Sequence, residues 1–80
     1  MAADSTRDDV RRWAVEVVKV STEQGDKLWK QELDGVGVLN MASKLDEKQI
    51  YDKLKSKSDY DLSSGAAEKL AAAIVNLEGA

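Results

Sequence analysis

Residues 33–41, Leu33-Asp34-Gly35-Val36-Gly37-Val38-Leu39-Asn40-Met41, constrain this chain more than any other stretch. An aspartate carboxylate accepts an orphaned N–H at a helix start, so Asp34 marks an N-cap. Gly35 relaxes the backbone at the corner. The apolar residues that follow anchor a short helix over residues 36–41. An elbow of this kind carries no nucleophile, base or ligand set. It predicts a small helical bundle whose function lies on its surfaces.

Eighty residues make one domain. A chain of this size buries only about 60% of the surface its unfolded form exposes, for a net stability of ~5 kcal/mol. The absence of cysteine excludes a disulfide framework and suits a reducing compartment. The absence of histidine, together with that of cysteine, removes the common zinc sites and the Ser-His and Cys-His nucleophile pairs. Absence of proline leaves helices uninterrupted. The net charge of −3, with signs interspersed, lacks the basic footprint of nucleic-acid binding. No apolar run approaches the roughly 20 residues that span a bilayer. The first residues have neither the halves of a signal peptide nor a myristoylation glycine. The expectation is an intracellular domain, cytoplasmic or nuclear, without membrane insertion.

Five helical segments can be read along the chain. Thr6 and Asp9 stand at capping-box spacing, and Val10, Trp13, Ala14 and Val17 then fall on one face of a helix over residues 7–18. Val18 borders that stripe, and Val15 falls off it. Ser21 and Gln24 open a second helix to about residue 32, with Leu28, Trp29 and Leu33 as its apolar side chains. Gly25 near its start costs up to about 1 kcal/mol relative to alanine. After the elbow, Ser43 and Asp46 repeat the capping spacing, and Leu45, Ile50 and Leu54 continue a helical face to about residue 55. Residues 53–61 read as a polar loop. The last helix, long and alanine-rich, begins after Ser63-Ser64-Gly65, with Ala66, Leu70, Ala73, Ile74 and Leu77 on one face and Gly79 just beyond its end.

The order of these features resembles a SAM (sterile alpha motif) domain. The resemblance rests on Asp8-Asp9-Val10 with Trp13, on Leu33-Asp34-Gly35 with Val38, Leu39 and Met41, and on Leu62, Gly65, Lys69, Leu70, Ile74 and Leu77. It implies an all-α, compact five-helix bundle over residues 6–78, with a long C-terminal helix and a flexible lead over residues 1–5. It further implies a non-catalytic protein–protein interaction module that joins itself or another SAM domain, within a larger signalling or scaffold protein. In that family a mid-loop surface on one copy meets an end-helix surface on the next. Here the first falls on Val36, Asn40, Asp46 and Glu47, and the second on Ser64, Gly65, Ala67 and Lys69. Ala67 stands where the family carries a basic residue, so the contact is expected to be more apolar than charged. The alternatives are an RNA-hairpin-binding SAM domain and a stand-alone regulatory bundle.

Sharper chemical readings give way to plainer ones. Trp13 shares a face with Val10 and reads as core, and Trp29 as core or half-buried packing. Asp34-Gly35 is a cap without a second catalytic group. The stretch Asp59 to Gly65 misplaces the glycine of a calcium loop, and Leu70 takes the place of its glutamate. Lys44, Lys48, Lys53, Lys55 and Lys57 alternate with Asp46, Glu47, Asp52 and Asp59 and read as a solvated face. The one Asp-Ser pair, Asp4-Ser5, lies outside any helix start that a carrier protein needs. No cofactor, metal or small-molecule substrate is expected, and nucleic acid is disfavoured.

Overall fold

Five side chains set the five helix starts. In a computed structural model describing residues 1–78, Thr6 caps α1 (Arg7–Trp13), Ser21 caps α2 (Thr22–Lys30), Asp34 caps α3 (Gly35–Lys44) and Asp46 caps α4 (Glu47–Lys55). The Ser63 hydroxyl accepts from the Ala66 N–H at 3.3 Å and opens α5 (Ser64–Glu78). Each cap satisfies an N–H that has no partner inside the helix. The boxes at Thr6–Asp9 and Asp46–Gln49 are reciprocal, each N3 side chain reaching back to the cap's own N–H. These bonds with Thr6 lower the Asp9 carboxyl pKa from its ordinary value, so the box is kept above that pKa and loosens as the pH falls through it. Gly79 lies outside the described residues.

Helix one differs from a regular α-helix in its last turn. Residues Ala14–Val18 form a π-helical turn, closed by Lys19 in the left-handed region at φ 73°. The extra residue that a π turn contains shifts the apolar stripe by one position. Val17, expected inside, is therefore 66% exposed, while Val15 and Val18 pack against the core in its place. Val15 meets α2 at Gly25, where a Cβ would stand 2.9 Å from Val15 Cγ2 and 3.3 Å from Arg11 Cγ. That close approach explains a glycine inside a helix. Left-handed backbone costs an L-residue about 1 kcal/mol or more that glycine avoids. Lys19→Gly is thus expected to stabilise the fold by roughly 0.5–1 kcal/mol, seen as a rise of several degrees in thermal melting.

The start of α4 corrects the reading of Ser43, which lies inside α3 with its hydroxyl on the Asn40 carbonyl at 3.3 Å. Asp46 is the cap, so α3 runs three residues past Met41. The expected loop also starts later, because Lys53 and Lys55 belong to the last turn of α4. The lead over residues 1–5 is tied down. The Ser5 carbonyl accepts from the Gly35 N–H at 2.9 Å, and Met1 packs against the core. A Cβ at Gly35 would run into the Ala2 carbonyl oxygen, so the elbow glycine is required by close approach of the lead.

Helix α5 packs against both α3 and α4, while α1 packs against α2. The bundle has a Cα radius of gyration of 10.8 Å. Val10, Leu28, Val38, Ile50, Leu54, Leu70 and Ile74 are its largest fully buried side chains. Gln24 is the buried polar side chain among the described residues, and its Oε1 accepts from the Ser63 N–H at 2.8 Å. This bond clamps the start of α5 onto α2. Gln24→Leu leaves that N–H without its acceptor and is expected to cost about 1–3 kcal/mol in denaturant unfolding.

Candidate functional site

On α3, the buried face carries Val38, Met41 and Ala42, which turns Val36 and Asn40 outward one turn apart. Val36 is 48% exposed. Among the described residues, only Val17 is another large apolar side chain exposed to this degree. The other two residues expected on this surface sit differently. Asp46 spends an oxygen on the cap, accepting from the Gln49 N–H at 2.8 Å. Glu47 borders a cleft between α4 and α5, with Tyr51, Glu68 and Ala71. Val36 and Asn40 therefore form a unit, and Glu47 belongs to a neighbouring surface.

The second expected surface is largely exposed at the start of α5. Ser64 and Gly65 form its first two positions, and a Cβ on Gly65 would meet nothing within 4 Å. Lys69 is exposed, with its Nζ donating to the Lys19 carbonyl at 3.3 Å. Ala67 is a correction. It is 0% exposed and belongs to the core, because it lies on the same face of α5 as Leu70, Ala71 and Ile74. Ser64, Gly65 and Lys69 are the exposed members of the expected surface.

Trp29 is absorbed by a local network. Its indole N–H donates to Asp8 Oδ1 at 2.6 Å, and the Arg7 guanidinium lies 3.7 Å from the ring centroid. Arg11 stands 5.4 Å from the same ring and pairs with Asp26 at 3.3 Å. Half-buried packing is thus the state of Trp29, with the Arg7 guanidinium over its ring. Trp13 is also half-buried against the core.

A shallow groove that sequence reasoning missed runs beside α3. It is lined by Asn40, Met41, Lys44 and Leu45 from α3 and its end, by Lys53 of α4 and by Tyr60 of the loop that follows. The signal was present as an i, i+4 spacing of Met41 and Leu45, with Lys44 between them. Tyr60 comes from a distant part of the sequence. Burial pushes its phenol pKa upward, and Asp59 and Asp34 push the same way.

Among the described residues, no three carboxylates, histidines or cysteines are grouped as a metal site, and no helix is long and apolar enough to cross a membrane. No protein-family model matches this chain, and neither the curated proteins nor the solved structures include a match.

Proposed function

We propose that this chain is a SAM-like, non-catalytic interaction module that pairs head to tail with itself or with another SAM domain, as part of a larger signalling or scaffold protein. The observation that carries this reading is Val36, a large apolar side chain left 48% exposed on the outer face of a capped helix. Exposed apolar side chains at a rim of polar ones are what docking surfaces use as anchors. The order of elements supports the SAM likeness: a capped first helix, the Asp34 elbow feeding α3, and a last helix of 15 residues, the longest described.

The opposing surface is the start of α5. Ser64 and Gly65 allow close backbone approach, and Gly65 leaves open space above it. A contact between two different surfaces repeats without closing unless the rotation forms a ring, so an open chain of copies is the natural assembly. With Ala67 buried, Lys69 is the remaining base of the patch, and the contact is mainly apolar. The same scarcity of bases at the start of α5 argues against an RNA hairpin there, since phosphate contacts supply most of such affinity.

Static light scattering across a concentration series tests the reading. The parent chain is expected to gain mass with concentration, and Val36→Glu to stay monomeric while melting as the parent does. A parent that stays monomeric at about 1 mM, the weakest affinity worth assigning to a homotypic contact, removes self-association.

A further inference from the structure

We propose that the groove between α3 and the α4–α5 loop binds an acidic peptide segment carrying one bulky apolar side chain. Its floor is apolar, formed by Met41 at 6% exposure with the half-buried Leu45 and Tyr60. Its volume is about 290 Å³, room for one side chain and not for a large ligand. The rim is basic. Lys44 and Lys53 border this groove, and Tyr60 is shared with an adjoining cleft bordered by Lys27, Lys30 and Lys57. Five lysines from α2, α3, α4 and the following loop thus surround one tyrosine.

Charge complementarity selects the occupant. Lys53 is matched by Asp59 at 3.6 Å, and Lys27 by Asp61 at 4.0 Å. Lys30, Lys44 and Lys57 have no ion pair among the described residues. The nearby Asp34 is engaged as the cap of α3, accepting from the Gly37 N–H at 3.0 Å. In a chain of net charge −3, this is a local excess of positive charge around an apolar seat. Carboxylates flanking an apolar anchor would meet these lysines, which steer encounter and fix register. The apolar floor suits an apolar side chain, and Tyr60 is the single aromatic ring in the groove on which a nucleobase could stack. Gly65 and the start of α5 line no part of the groove, whereas Asn40 borders both the groove and the Val36 face of α3.

The test is an NMR titration of the isotope-labelled full chain with an acetylated pentapeptide, a central leucine between acidic residues, up to about 2 mM. Amide shifts are expected at Asn40, Lys44, Leu45, Lys53 and Tyr60. The double variant Lys44→Glu/Lys57→Glu, both residues exposed, is expected to weaken binding about tenfold with an unchanged melt, as is replacing the peptide's leucine by glycine. Gly65→Glu, which lies off the groove, should bind as the parent does. Shifts scattered over the whole chain, an equal response to the glycine peptide, or no shift at the highest concentration would overturn the proposal. So would a response at these residues to an RNA hairpin and none to the peptide, which reassigns the face to nucleic acid.

Discussion

Ala67→Glu is expected to abolish folding. Ala67 is 0% exposed, among Leu70, Ala71 and Ile74 on the α5 face that meets the rest of the core. Seating a glutamate there adds volume to a packed interior, which costs about 1–3 kcal/mol. It also either buries a carboxylate without a partner or forces its protonation, at several kcal/mol more. Together these reach or exceed the ~5 kcal/mol that a domain of this size holds in reserve. Circular dichroism at 25 °C should show the helical signal collapse, while Glu68→Ala on the exposed side of the same helix melts like the parent. A cooperative melt near that of the parent for Ala67→Glu would mean that residue 67 faces solvent, and would restore it to the docking surface.

Leu70→Ala has the next largest expected effect. Leu70 is 1% exposed on the helix against which both α3 and α4 pack. Truncation removes the transfer energy of the lost methyl groups and leaves a cavity that three helices cannot easily close. The cost is about 2–5 kcal/mol, again a large share of the total. A drop of roughly 10–30 °C in the melting midpoint follows for a domain this small. The small side chains around it, Ala66, Ala67 and Ala71, already bring the helices close, so little neighbouring bulk is available to refill the space.

Local chemistry made the helix starts legible. Thr6, Ser21 and Asp34 announce their caps in sequence because a cap depends on residues only three positions apart. The choice between Ser43 and Asp46 was harder, since both stand before a helical pattern; Asp46 wins by its reciprocal bond with Gln49. The all-helical class and five helices in one compact unit were readable for the same local reasons. The π turn was not. It depends on how Val15 and Val18 find the core, so Val17 was placed on the wrong side.

The candidate surfaces were legible in part. Val36 and Asn40 are exposed as their spacing along α3 implies, because the buried positions of that helix leave them the other face. The family resemblance puts Ala67 on a docking face, but Leu70 and Ile74 claim its side of α5 for the core. The fate of Trp29 depended on Asp8, 21 residues away, and the groove beside α3 on Tyr60. Such partners meet only after folding.

Head-to-tail pairing between the outer face of α3 and the start of α5 is the central functional claim. Sedimentation velocity on an equimolar mixture of Val36→Glu and Gly65→Glu chains tests it directly. Each variant keeps one intact surface, and neither substitution enters the core. Alone, each should sediment as a monomer; mixed, they should form a one-to-one dimer that does not extend further. A mixture that remains monomeric, at concentrations where the parent chain associates, would contradict this pairing of surfaces.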